Sequence, residues 1–291
     1  MSALPPTEGR QSESAGLDLL DTHELVDLLV NDQAHAAAAV RTQTTALASA
    51  VEGIVTRIRA GGRLHYIGSG TSGRLAVLDA SEMPPTFGTP PDLVCAHIAG
   101  GDFALRTAIE GAEDDARAGE AAMEDHVAAG DAVVGISASG GARYVVAALE
   151  RARAIGALTV AITSSDNSAL VSAAQLAIVL PTGAEALSGS TRLKAGTAQK
   201  ITLNTLSTAI MVRLGKVHDN LMVDVVATNE KLRGRAARLV RDLTGADETR
   251  VSAALDQSGG NVKVAAVMIA RRVDAARARA MLQSETLRSL L

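Results

Sequence analysis

RLHYIGSGTSGRLAVLDASE, residues 63–82, is the stretch whose reading decides the fold. Leu64 to Ile67 reads as a short buried strand. Gly68-Ser69-Gly70-Thr71-Ser72-Gly73 interrupts it, and Leu75, Ala76, Leu78 and Ala80 resume at helical spacing. Strand, Gly/Ser/Thr loop, helix is a phosphate-site layout. Loop glycines let backbone N–H groups approach an anion, hydroxyls add donors, and the helix N-terminus adds partial positive charge. Gly and Ser also make tight turns and cap helices for purely structural reasons. One such loop therefore decides little.

Two more loops resemble it. Ile136-Ser137-Ala138-Ser139-Gly140-Gly141 again follows a strand and precedes a helix. Ser188-Gly189-Ser190-Thr191-Arg192-Leu193-Lys194 opens a helix expected from about residue 191, and Lys194 offers a charge. Three hydroxyl-rich turns at successive strand ends can converge on one phosphate. No Gly-Lys-Ser/Thr follows, so this is no Walker loop. Gly68, Gly70 and Gly73 match GxGxxG, but no acidic residue clearly ends the next strand, so a dinucleotide is disfavoured.

Outward from that stretch, short apolar strands at about 63–67, 93–98, 132–136, 158–163 and 175–180 alternate with helices. The helices fall at about 71–82, 102–125, 142–155, 167–173 and 191–215. This alternation predicts an α/β fold, with a five-stranded parallel sheet sandwiched by helices. Before it, residues 1–16 read as an extended arm. A cap at Thr22 with Glu24 and a long helix over about 32–59 follow. Pro84-Pro85 and Pro90-Pro91 argue against regular helix over 79–91. Residues 216–240 read as mostly helical, with a break near Gly234. From Thr244 a small C-terminal module of two or three short helices follows, turning at Ser258-Gly259-Gly260.

Composition narrows the function. The core must be aliphatic, since the chain has two Tyr, two Phe and no Trp. A net charge of −4 argues against a nucleic-acid or anionic-membrane partner. Cys95 is the only cysteine, so neither an intrachain disulfide nor a cysteine metal cluster is possible. No His/Asp/Glu grouping has metal-ligand spacing, and no metal or other cofactor is expected. MSALPPTEGR lacks the apolar region of a signal peptide, and no apolar run reaches membrane-spanning length; a cytoplasmic protein is expected.

Carboxylates supply the remaining chemistry. Glu82 closes the first helix. Glu110, Glu113 and Asp114 share one face of the helix expected next, as an acidic solvated face also would. Glu82 with a second carboxylate on that helix is one acid–base pairing. Glu185 is another candidate. His65 and His97 fall in strands and read as buried, hydrogen-bonded residues. His218, beside Asp219 near a helix end, is ambiguous.

GSGTSGR, ISASG and STRLKAGTAQK together resemble the sugar isomerase (SIS) domain, a phosphosugar-binding α/β sandwich. Longer strings narrow this. TEGRQSESAGLDLL, GSGTSGRLAVLDASEMPPTFG, IAGGDFALRTAIEGAEDDA and SGSTRLKAGTAQKITLNTLSTA are similar to the N-acetylmuramic acid 6-phosphate etherase family, related to the glucokinase regulatory protein. The resemblance covers nearly the whole chain. It implies loss of the D-lactyl ether by elimination across carbons 2 and 3, then water addition. Glu82 of ASE-x-PP-x-F-G is implied as the proton donor and Glu113 of EGAED as the base. The phosphosugar is implied to sit on Ser69, Gly70, Thr71, Ser72, Ser137, Ser139, Gly140, Ser190, Thr191 and Lys194.

The resemblance also implies a homodimer. It divides the chain into N-terminal arm and helices (1–54), phosphosugar-binding and catalytic domain (55–218) and C-terminal helical region (219–291). In the second loop the family's ASGRTPY stands here as Ala138-Ser139-Gly140-Gly141-Ala142-Arg143-Tyr144, without a hydroxyl at 142. Two rivals share the loops. A non-catalytic phosphosugar sensor lacks turnover, and retention of both glutamates disfavours it. An aldose–ketose isomerase needs no acid for a lactyl leaving group.

Overall fold

The computed structural model describes residues 5–224 and 230–291. Helices α1 (Thr22–Arg41) and α2 (Thr44–Arg59) precede the sheet. The sheet holds β1 (Leu64–Gly68), β2 (Val94–Ile98), β3 (Ala132–Ile136), β4 (Leu158–Thr163) and β5 (Leu176–Val179). They are parallel, in the order β2-β1-β3-β4-β5. All five expected strands are present, each within one residue of its expected bounds. Helices α3 (Gly70–Phe87), α4 (Ala116–His126), α5 (Arg143–Ile155) and α6 (Ala169–Ala173) join them, and α7 (Lys194–Arg213) follows.

The chain leaves β1 toward β2 on one side, then returns to β3 on the other. Right-handed crossovers in opposite directions put helices on opposite faces. Ile67, Val133 and Ala161 face Met123 of α4, Val145 and Leu149 of α5 and Leu170 of α6 in one buried cluster. On the other face, Tyr66 Oη donates to Asp79 Oδ2 of α3 at 3.1 Å, and Ser207 Oγ of α7 donates to Asp79 Oδ1 at 3.2 Å. With almost no aromatics, Ala, Val, Leu and Ile fill both layers.

Contacts divide the chain into two compact units, 1–81 with 92–210 and 82–91 with 211–291. The second contains the hairpin β6 (Val217–His218) and β7 (Leu221–Met222). Helices α8 (Glu230–Thr244), α9 (Glu248–Ser258), α10 (Val262–Arg271), α11 (Ala275–Ser284) and α12 (Leu287–Leu290) complete it. Val240, Val251, Val262, Ala265 and Leu290 build its core. Asp247, Asn261 and Asp274 cap α9, α10 and α11, each accepting a backbone N–H three residues on. No helix among the described residues is long and apolar enough to cross a membrane.

Several sequence expectations are corrected. The cap before α1 is Asp21, in a reciprocal capping box with Glu24. The helix expected over 32–59 breaks at Thr42-Gln43. Thr42 Oγ1 donates back to the Ala39 carbonyl, and Gln43 Oε1 accepts from Val179 N of β5. The described part of the N-terminal arm, from Pro5, is a series of short 3-10 turns with Thr7 wholly buried. The helix expected over 102–125 begins only at Ala116. Gly111 adopts φ +72°, and Asp115 accepts from Ala118 N to start α4. Glu110, Glu113 and Asp114 therefore share no helical face. Conversely, α3 runs on through Pro84 and Pro85 to Phe87. Proline's fixed φ is helical, and the Pro84 carbonyl still accepts from Gly88 N at 2.9 Å. His218 lies in β6 rather than at a helix end, and α8 runs unbroken through Gly234. Residues 225–229 of that expectation lie outside the described residues.

Candidate active site

Strand order reverses between β1 and β3, and in open parallel sheets such a reversal opens a crevice at the strands' carboxyl ends. Register puts Gly68 of β1 opposite Ile136 of β3, so the loops at 68–73 and 136–141 emerge side by side. The first loop turns abruptly because two glycines touch. A Cβ on Gly73 would stand 2.7 Å from the Gly68 carbonyl oxygen and 2.6 Å from Ile98 Cγ1. This close approach brings the start of α3 to the end of β1.

Hydroxyls line the crevice. Ser69 and Ser137 are buried; Thr71 and Ser139 are half-buried. Ser137 Oγ accepts from Gly140 N, and Ser139 Oγ from Gly141 N, both at 3.2 Å. Each keeps its own O–H as a donor. Ser72 is buried, and its Oγ donates to Gln199 Oε1 of α7 at 2.9 Å. Gln199 is itself 1% exposed, and its Nε2 has no partner. Gly196 of α7 lies against Thr71, whose Cγ2 would be 3.4 Å from a Cβ there. These contacts bring the start of α7, and with it half-buried Ser190 and Thr191, to the first loop.

Glu113 sits in an exposed turn, with Oε2 3.5 Å from Ser69 Oγ at the limit of a hydrogen bond. Arg74, in the second turn of α3, donates to the Leu105 carbonyl at 3.1 Å and ties down the chain leading to the Glu113 turn. Glu110 is exposed nearby in sequence. Glu82 is exposed on α3, in the second unit.

Lys194 and Glu185 are placed differently from the role their sequence suggests. Lys194 is 3% exposed, and its Nζ donates to Asp32 Oδ1 at 2.7 Å and to the Ala184 carbonyl at 2.8 Å. Its charge is met by Asp32. Glu185 is fully buried and accepts from the backbone N–H of Lys194 at 3.0 Å and Ala195 at 2.8 Å. It closes the N-terminus of α7 with a protein carboxylate. Burial pushes its carboxyl above the usual range, although those N–H groups and Lys194 oppose the shift.

Sequence reading does not single out Asp79, Gln199 or Asp32. Asp79 is 3% exposed. Burial raises its pKa despite the hydrogen bonds from Tyr66 and Ser207. Its signal in the sequence is an acid on the apolar stripe of α3. Gln199 lies inside the STRLKAGTAQK string, but only folding shows its contact with Ser72, 127 positions away. Of the strand histidines, His65 is buried as expected, whereas His97 is only half-buried. His65 is fully buried, its Nδ1 lies 3.1 Å from His97 Nε2, and His97 stacks on His126. Burial, with His65 and His126 alongside, pushes His97 down to about 4. Among the described residues no His/Cys/Asp/Glu group has the form of a metal site. A cavity of about 550 Å³ lies within the second unit, bordered by Arg233, Ala237, Val251 and Leu255, and holds none of the groups above.

Comparison with known proteins bears on the fold and the family. The family model for the glucokinase regulatory protein N-terminal SIS domain matches residues 46–153, and the SIS domain model matches 115–209. In fold, the chain is similar to a phosphoheptose isomerase from Francisella tularensis, with TM-score 0.55 and 18% identity, over 66% of this chain and 100% of that one. An N-acetylmuramic acid 6-phosphate etherase from Symbiobacterium thermophilum is 53% identical over 90% of this chain and 88% of its own. One from Deinococcus radiodurans is 49% identical over 90% and 87%. One from Escherichia coli is 46% identical over 92% and 91%. Identity of this level over nearly the full length places the chain in the N-acetylmuramic acid 6-phosphate etherase family.

Proposed function

We infer that this chain is a carbon–oxygen lyase that cleaves the D-lactyl ether of N-acetylmuramic acid 6-phosphate. The products are N-acetylglucosamine 6-phosphate and D-lactate, and the setting is cell-wall amino-sugar recycling. The observation that carries this reading is 53% identity across 90% of the chain to a relative of that name. The hydroxyl-lined crevice where strand order reverses supports it, being suited to a phosphomonoester.

The chemistry needs two proton carriers. Ring opening exposes an aldehyde that acidifies the proton on carbon 2. Glu113 takes that proton, and a double bond forms between carbons 2 and 3. The carbon 3–oxygen bond breaks as Glu82 protonates the departing lactate. Water then adds, its oxygen to carbon 3 and a proton to carbon 2. One carboxylate works as base and the other as acid. The phosphate is received by Ser69, Gly70, Thr71, Ser72, Ser137, Ser139, Gly140, Ser190 and Thr191.

The enzyme works as a cytoplasmic homodimer. Residues 55–218 form the binding and catalytic part, flanked by the N-terminal arm and helices (1–54) and the C-terminal helical region (219–291).

The test incubates the protein with N-acetylmuramic acid 6-phosphate in deuterated water. The expected result is lactate release with deuterium at carbon 2 of the product. Phosphosugar binding without lactate would replace the enzyme with a sensor. Glu82→Ala is expected to abolish lactate release while N-acetylglucosamine 6-phosphate still exchanges its carbon 2 proton with solvent. Loss of that exchange in a folded variant would reverse the two roles. Mixing Glu82→Ala with Glu113→Gln restores lactate release only if the site is shared between copies.

A further inference from the structure

The turn carrying Ser190 and Thr191 is held across its neck and at its tip. At the neck, Lys194 Nζ reaches back to the Ala184 carbonyl, and the Glu185 carboxylate accepts from Lys194 N and Ala195 N. At the tip, the N-terminal strap lies against it. Gly189 N donates to the Thr7 carbonyl at 3.2 Å, and Ser188 Oγ to the carbonyls of Glu8 and Gly9 at 3.2 and 3.1 Å. Asp32 of α1 ties both ends together. Its Oδ1 accepts from Lys194 Nζ at 2.7 Å and from Gln11 Nε2 of the strap at 3.0 Å.

Stability alone does not explain this arrangement. A buried ion pair rarely outperforms well-packed apolar residues of the same volume, because both charges lose their water. Here Asp32 and Lys194 are each about as buried as core leucines, at 4% and 3% exposure. The satisfaction is also incomplete, since Asp32 Oδ2, Gln11 Oε1 and Thr7 Oγ1 are buried without a hydrogen-bond partner. What the pair supplies is position. It joins three segments distant in sequence on the turn that bears two of the phosphate hydroxyls.

We propose that Asp32 is a positioning residue for substrate binding: through Lys194 and Gln11 it holds the strap and the Ser190–Thr191 turn in the shape that receives the substrate's phosphate. This rests on the phosphosugar reading above. It makes the ammonium of Lys194 a brace for the loop rather than a ligand, and it brings residues 5–11 into the binding apparatus.

Asp32→Asn tests it, because the amide keeps the shape and removes the charge. KM for N-acetylmuramic acid 6-phosphate should rise about tenfold or more with kcat within about threefold, since the hydroxyls shift while the glutamates do not. The inhibition constant of inorganic phosphate should rise by the same factor. A folded Asp32→Asn with both constants unchanged overturns the proposal, as does a fall in kcat at constant KM. If that variant fails to fold, Gln11→Leu removes only the strap's bond to Asp32. Its KM should rise in the same direction, and an unchanged KM again overturns the proposal. Calorimetry with N-acetylglucosamine 6-phosphate keeps the two readings separate. A wild type that binds this sugar but releases no lactate sinks the reaction, and the loss of affinity in Asp32→Asn still decides the role of Asp32. A wild type that binds neither this sugar nor phosphate overturns both.

Discussion

Replacing Gly73 with Ala presses on the contact that makes the first loop. The new Cβ would lie 2.6 Å from Ile98 Cγ1 and 2.7 Å from the Gly68 carbonyl oxygen. Optimal carbon–carbon separation is about 3.5–4.0 Å, so the start of α3 must move back by about 1 Å. Overpacking of this kind costs roughly 1–3 kcal/mol, and the upper half is expected because one obstacle is backbone. The functional cost is larger in proportion. A displacement of about 1 Å at a binding or reacting group lowers kcat/KM by roughly 100-fold. Urea unfolding followed by circular dichroism measures the first effect, and lactate release measures the second. Gly130→Ala is the control: a Cβ there meets nothing within 4 Å, and its φ is not positive. A Gly73→Ala protein with unfolding midpoint and kcat/KM both matching Gly130→Ala would refute the claim that strand–helix contact builds the crevice.

His97 titrates at about 4 when folded, below the ordinary value near 6.5, chiefly because it is buried beside His65 and His126. The unfolded chain therefore binds this proton first, and stability present above pH 6.5 is lost as pH falls toward 4, by up to about 3 kcal/mol before discounting partial exposure. His97→Gln should flatten that part of the pH–stability curve, leaving the share due to His65; an unchanged curve would mean that His97 does not titrate in this window. Ala142 stands at the N-cap of α5 without a side-chain cap, so Ala142→Ser should stabilise the protein by about 0.5–1 kcal/mol in urea. If instead KM falls while stability stays unchanged, a hydroxyl at this position serves the phosphate rather than the helix.

Much of this architecture was readable before folding, and the failures have physical causes. Each strand is a short, mostly apolar run bounded by turn residues, the pattern expected of parallel strands covered on both faces. The hydroxyl loops were visible as strings. The segment from 102 to 125 misled because acidic residues at helical spacing mimic a solvated face. Gly111 and the Asp115 cap are what forbid one continuous helix. Proline misled in the opposite sense at 84–85, where a local rule yielded to a helix already under way. The Asp32–Lys194 pair joins residues 162 positions apart, and Tyr66, Asp79 and Ser207 meet from three elements. No local pattern marks such groups, because their partners are assigned only by packing.

The hydroxyls of the crevice show what that packing achieves. A serine that rotates freely must give up its freedom when it binds an anion. Ser137 and Ser139 have already given it up, since each accepts a backbone N–H and keeps its proton for a further acceptor. Ser72 is the exception, because its proton goes to Gln199 Oε1 while Gln199 Nε2 stands buried without a partner. Gln199 thus ties the first loop to α7 through the Ser72 side chain, a link between residues 127 positions apart that packing alone assigns.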